Sequence, residues 1–170
     1  INTNVTVAGI AALKQALPAC KVDWNGPPMV KLSADPERAV AEWVLQVGGK
    51  LEIDVAESIR DIDVKKLEDL PDENFRVTQV EFDQNSYIDD ESLSNLSQLQ
   101  YLDRLLFMHQ KISGAGFKYL SAMQGLQSLD CGGSEVTDQC LSIVTKLHGL
   151  VYLNLHQTRV TDEGIKSIPP

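Results

Sequence analysis

Cys131 follows Asp130 and stands among His109 and His156 in adjacent segments, the residue types from which a thiol nucleophile and its base could be assembled. His109 and His156 could also serve as a pair of metal ligands. The run Ser113 to Lys118, S-G-A-G-F-K, has the glycines of a phosphate-cradling loop. Each arrangement depends on which elements carry these side chains. The elements argue against all three.

Ile88, Ile112, Val136 and Val160 open the phrases I-D-D-E-S-L, I-S-G-A-G-F, V-T-D-Q-C-L and V-T-D-E-G-I, each 24 residues after the last. The sixth position of every phrase is apolar (Leu93, Phe117, Leu141, Ile165), and so is the position three residues on (Leu96, Leu120, Val144, Ile168), which is helical spacing. The pattern continues through Leu99, Leu102, Leu105, Phe107 in one unit, Met123, Leu126, Leu129, Cys131 in the next, and Leu147, Leu150, Leu153, Leu155 in the third. Its last step, of two residues, marks a strand. Asp90, Asp138 and Asp162 share one column and are expected to cap the free amides of their own helices, while Gly114 replaces them in one unit. Self-similarity at such a period is the signature of a repeat array.

Within this register Cys131 replaces Phe107 and Leu155 in an inward column, and His156 points to the other side. A buried small hydrophobe is the expected role, with no metal and no cofactor. Cys140 occupies the small-residue column of Gly116 and Gly164, and Cys20 stands apart near a strand. S-G-A-G-F-K coincides with a turn and helix start of the repeat and lacks the full glycine spacing.

Earlier in the chain the same grammar is less regular. Val80 and Phe82 read as the strand before Ile88. Asp35-Pro36 begins a helix through Val40, Trp43, Val44 and Val47, which Gly48-Gly49 ends, and Leu51, Ile53 and Val55 follow as strand. V-T-V-A-G-I from Val5 to Ile10 repeats the opening phrase, with Leu13 three residues later and Val22 and Trp24 as its strand. The stretches Asn25 to Ser33 and Ile59 to Glu73 read as connections. Two segments result, an amino-terminal unit over 1–34 and one continuous array over 35–170.

The phrase Leu150, Leu153, Leu155, Thr158, Val160, Thr161, Asp162, Gly164, Ile165 resembles a leucine-rich repeat of the cysteine-containing class, shared by F-box-type proteins and by large repeat proteins of environmental bacteria. D-P-E-R-A-V-A-E-W-V-L-Q-V-G-G from Asp35 to Gly49 resembles the unit that opens such bacterial arrays, and A-L-P-A-C-K-V from Ala16 to Val22 resembles one that closes an array. The resemblance implies an α/β solenoid of period 24, with a parallel strand ladder on the concave face and helices on the convex face. It also implies recognition without catalysis, any activity being supplied by other domains of a parent chain.

Alternation along the strands then names the open face. Arg104, Ser128 and Tyr152 form one row, Leu106, Asp130 and Asn154 a second, and Met108, Gly132 and His156 a third, with Gln79, Glu81 and Asp83 beside them. Arg104, Leu106, Met108, Asp130, Tyr152, Asn154 and His156 are the expected partner-binding residues, because aromatic, arginine and exposed apolar groups together resemble a protein-recognition patch. The alternative is a regulatory or substrate-recognition fragment of a larger enzyme.

A formal charge of −9 disfavours nucleic acid and favours a basic protein or a cationic ligand. No apolar run is long enough to insert in a membrane. Three cysteines, an odd number in a chain too large to need stapling, favour a reducing compartment such as the cytoplasm, and the absence of a basic-then-apolar leader means little in a piece of a longer protein. The chain opens within a repeat phrase and stops one helix into the last unit, so a fragment is expected, with self-association through a repeat edge as the sharper reading.

Overall fold

The computed structural model of the chain describes residues 35–55, 61–86 and 88–168, together with Ile10, Leu13 and Ala16. The strand expected at Val22 and Trp24, the connection Asn25 to Ser33 and Cys20 lie outside the described residues. So does the opening phrase from Val5, except for Ile10.

Helix α1, Pro36–Gln46, begins where the sequence places it. Asp35 Oδ1 accepts the Glu37 amide at 3.1 Å, proline fills the first helical position, and Gly48 leaves the helix with φ of +85°. Val40, Ala41, Trp43 and Val44 form its buried face. Trp43 meets Phe82 edge-on at 5.8 Å between ring centroids. Glu37 ties the helix to the sheet by accepting the Val77 amide at 2.8 Å.

Six strands form one open sheet: β1 Lys50–Val55, β2 Ile62–Val64, β3 Phe75–Phe82, β4 Arg104–Phe107, β5 Ser128–Asp130 and β6 Tyr152–Asn154, in the order β2-β1-β3-β4-β5-β6. From β3 onward every pairing is parallel. Gln79 pairs with Arg104, Arg104 with Ser128, and Ser128 with Tyr152, so partners stand 25, 24 and 24 residues apart.

The other half corrects the expectation of a wholly parallel ladder. β1 is antiparallel to both β2 and β3, with a register shift between Glu52 and Ile53. The stretch Ile59 to Glu73, read as connection, contains β2 and a 3-10 turn at Leu67–Asp69. Alternation in Leu51, Ile53 and Val55 specifies which side of a strand is buried and carries nothing about its direction.

The crossovers also differ from the helices expected. Glu91–Gln98 and Ala115–Leu120 are 3-10 helices, Asp138–Cys140 is a 3-10 turn leading into a short α-helix (α2, Leu141–Val144), and the last unit has a single α turn (α3, Asp162–Lys166). Leu93, Leu96 and Leu99 are spaced by three, which aligns them on one side of a helix with three residues per turn. Their side chains, with Leu105, Phe107, Phe117, Leu120, Leu126 and Leu129, form the buried layer between the sheet and the crossovers.

The aspartate column does something other than cap its own turn. Asp90 makes no side-chain cap for the helix it precedes. Its Oδ2 accepts from Ser113 N (3.1 Å) and Ser113 Oγ (2.8 Å), and its Oδ1 from Gly116 N (2.7 Å), all in the following unit. Asp138 likewise accepts from Thr161 N and Thr161 Oγ1, both at 2.8 Å. A Cβ on Gly116 would lie 2.4 Å from the Asp90 carbonyl oxygen, and one on Gly164 would lie 2.2 Å from the Asp138 carboxyl carbon. Each clamp therefore requires a glycine 26 residues later.

The middle junction inverts the pair. Gly114, with φ of +100°, stands in the aspartate column, and Cys140 fills the glycine column opposite it. Ser113 O replaces the carboxylate by accepting from Thr137 N (2.9 Å) and Thr137 Oγ1 (3.1 Å).

Candidate protein-binding face

Strand alternation puts Leu105, Phe107 and Leu129 inside and leaves Arg104, Leu106, Ser128 and Asp130 on the open side, where they are half-buried. The pairings align Arg104, Ser128 and Tyr152 in one row and Leu106, Asp130 and Asn154 in the next. Beyond the strand ends the ladder continues through backbone bonds, His109 N to Gly132 O (2.9 Å) and Gly133 N to His156 O (2.8 Å). These bonds bring the turns of Met108 and His156 into line. His109, Gly133 and Gln157 all adopt left-handed backbone conformations, with φ of 58°, 72° and 56°.

Of the seven residues named from sequence, Arg104, Leu106, Asp130, Tyr152 and Asn154 stand in the two outward rows, and Met108 and His156 lie in the turns beyond the strand ends; they are not equally free. Arg104 forms a 2.6 Å ion pair with Glu52 of β1 and lies 3.3 Å from Asp103 and 3.5 Å from Asp61. Burial opposes its charge, yet Glu52 and Asp103 outweigh that cost and raise its pKa further. Its guanidinium braces β4 against β1. Asp130 and Asn154 hold each other: Asn154 Nδ2 donates to both carboxylate oxygens at 3.0 and 3.1 Å, while Asn154 Oδ1 accepts the His156 amide at 2.9 Å. Leu106, Met108, Tyr152 and His156 remain as the groups offering surface. Tyr152, at 53% exposure, offers the most aromatic area.

Sequence reasoning missed Lys50, Glu52 and Asp61 as parts of this surface. Glu52 pairs with Gln79 in the sheet, and Lys50 with Glu81. Lys50 Nζ sits 3.1 Å from Asp83 and 3.6 Å from Glu81; the hydrogen bond to Asp83 and the charge of Glu81 hold its pKa up. Asp83 is lowered, first by the Asn85 amide and then by Lys50. The outward positions of β1 alternate with the inward ones already recognised, so Glu52 was readable from Leu51 and Ile53. Its neighbour across the sheet was not. A shallow depression of about 290 Å³ opens among Lys50, Glu52, Asp63, Lys65, Gln79 and Glu81.

Cys131 and Cys140, the two described cysteines, are both buried. Cys131 is buried on the inward side, and His156 is exposed on the other. Burial first, then the charges of Cys140 and Asp130, push the Cys131 thiol far above its usual range. Burial and Asp138 push Cys140 up to about 11. Both thiols are free, and both stay protonated at neutral pH. Among the described residues no group of three or more His, Cys, Asp or Glu could hold a metal ion, and no helix is long and apolar enough to cross a membrane. Ser113 Oγ and the Gly116 amide, from the glycine-bearing run, are engaged by Asp90.

The chain matches no protein-family model and no curated protein.

Proposed function

We propose that the chain is a leucine-rich-repeat module of the cysteine-containing type, a non-catalytic solenoid that binds another protein through the open face of its sheet. The reading is supported by the 24-residue offsets of the parallel strands and the inward leucines that accompany them. The observation that carries the binding assignment is Tyr152, 53% exposed at the end of an outward row, a flat aromatic with desolvatable area on the same sheet as the half-buried Leu106. At the other side of the face two cations, Lys50 and Arg104, stand among Glu52, Asp61, Glu81, Asp83 and Asp103, and the acidic excess left after these pairings favours a partner with basic groups.

The test compares three immobilised forms exposed to lysate of the source cells: the native chain, a face variant (Leu106→Ala, Met108→Ala, Tyr152→Ala, His156→Ala) and a variant of the opposite surface (Lys118→Ala, Gln139→Ala, Ser142→Ala). A protein retained by the first and third, lost from the second and released by added salt supports the assignment. Equal retention by all three forms, or loss from the third alone, removes it. Arg104 is left out of the face variant because its replacement would also unpin β1.

A further inference from the structure

Asp130 stands on the open side of β5, inside the ladder, with β4 paired to it on one side and β6 on the other. Its carboxylate is held in one orientation. Oδ1 accepts from Gly132 N at 2.9 Å and from Asn154 Nδ2 at 3.0 Å, and the same Asn154 nitrogen lies 3.1 Å from Oδ2. Gly132 is buried beneath this pair: a Cβ on it would lie 3.1 Å from Asn154 Nδ2 and 3.2 Å from Asp130 Oδ1, so a larger residue would push both side chains away. All of these donors are neutral. A carboxylate has about four acceptor directions, and Oδ2 meets only the Asn154 nitrogen, so acceptor capacity remains.

The charge of Asp130 is unmatched. Glu52, Asp61, Glu81, Asp83 and Asp103 each stand within 3.6 Å of Arg104 or Lys50, whereas Asp130 forms no ion pair among the described residues. Arg104 is diagonal to Asp130 across the sheet, yet its guanidinium is drawn to Glu52 at 2.6 Å, with Asp103 and Asp61 close by. Three carboxylates around one guanidinium leave that corner net negative, so Arg104 does not turn a second cation away.

The neighbours suit a long, flat cation. Leu106 pairs directly with Asp130 and offers alkyl surface to a methylene stem. Tyr152, diagonal to Asp130 on β6 and 53% exposed, offers a ring face. Asp130 is half-buried, and partial removal from water strengthens a charge pair without closing off the oxygens. A guanidinium can meet the carboxylate edge-on while its flat side lies against the tyrosine ring; an ammonium has no flat side to lay there.

We infer that Asp130 is the seat of one arginine side chain of the partner, a role that rests on the protein-binding reading of this face and names the basic group it recognises. The seat is built before the partner arrives, because Gly132 and Asn154 already hold the carboxylate in place.

An amide-resolved NMR titration of the 170-residue chain with N-acetyl-arginine amide tests the seat without any partner. N-acetyl-citrulline amide, the same shape without the charge, is the control probe. The arginine probe is expected to shift the Gly132 backbone amide and the Asn154 side-chain amide and to reach half-saturation near about 10 mM, with the citrulline probe about tenfold weaker for want of the charge-assisted pair. Asp130→Asn is expected to weaken arginine binding about tenfold, while Asp72→Asn, which removes the same charge from an exposed loop, leaves it unchanged. Thermal melting by circular dichroism confirms that each variant is folded. Shifts that do not saturate, that the citrulline probe reproduces, or that fall equally in the two variants overturn the inference. A lysate protein lost from the face variant but retained equally by Asp130→Asn overturns the seat and keeps the protein-binding reading. Saturating shifts that depend on Asp130, with no protein held by the face, keep the guanidinium seat and overturn that reading.

Discussion

The junction between Asp90 and Gly116 and the junction between Gly114 and Cys140 occupy equivalent places and solve the same problem with opposite residues. In the first, a carboxylate reaches across to hold two amides and a hydroxyl, and the glycine it faces leaves no room for a Cβ. In the second, the reaching side chain is gone and the residue opposite has grown: a Cβ on Gly114 would lie 3.2 Å from the Cys140 Cβ. Space is filled once at each junction. The residue type at a repeated position is therefore set by its counterpart 26 residues away, in the neighbouring unit, more than by its own turn.

The largest expected effect tests whether that space is truly full. Gly116→Ala pushes a methyl group against the Asp90 backbone carbonyl and should lower stability by about 3 kcal/mol, the upper end of overpacking costs. Gly125→Ala, whose Cβ would meet only the Leu102 oxygen at 4.0 Å, should leave the urea midpoint nearly unchanged. Similar losses at both sites would mean that the glycines matter for backbone freedom and not for the neighbour.

Next comes the grip itself. Asp90→Ala strands the Ser113 and Gly116 amides and should cost about 2 kcal/mol in the same assay. A loss under about 0.5 kcal/mol would reduce the clamp to surface decoration. A smaller effect should appear as coupling at the inverted junction. Gly114→Asp alone is destabilising, from both the left-handed backbone and the contact with Cys140. Adding Cys140→Gly should recover about 1 kcal/mol of that loss, and a double-mutant cycle with no coupling would break the proposed pairing.

The smallest effect concerns a surface tie that accompanies the first junction. Glu91 accepts from the Tyr119 hydroxyl and, at 3.3 Å, from Lys118, and these bonds hold its pKa below the ordinary 4.5. Its folded value being depressed, the group contributes stability above the ordinary range and loses it as pH falls through the folded value. Glu91→Gln should flatten part of the acid limb in pH-dependent melting and leave neutral-pH stability almost unchanged, as expected for an exposed pair.

Much of the carboxyl-terminal half was legible because burial and period coincide there. Leu105 and Phe107 against Arg104 and Leu106 give the inward and outward sides, and the 24-residue spacing gives the partner of each. Four features were not legible, each for a physical reason. Strand direction in β1 leaves no mark on alternation, and β2 has three residues, of which only Val64 is buried. An aspartate before a turn looks the same whether it bonds its own amides or those of the next unit. The commitment of Arg104 to Glu52 joins residues 52 positions apart, a distance on which local pattern is silent.

Burial along the inward columns falls off toward β6. Leu105 and Leu129 are covered from two sides, while Leu153 is covered from one. In an isolated chain the backbone of β6 should open to solvent without disturbing β3 to β5, so its amide hydrogens should be replaced by deuterium well before theirs. Loss of structure would thus begin at one end and travel, unit by unit, toward the antiparallel half.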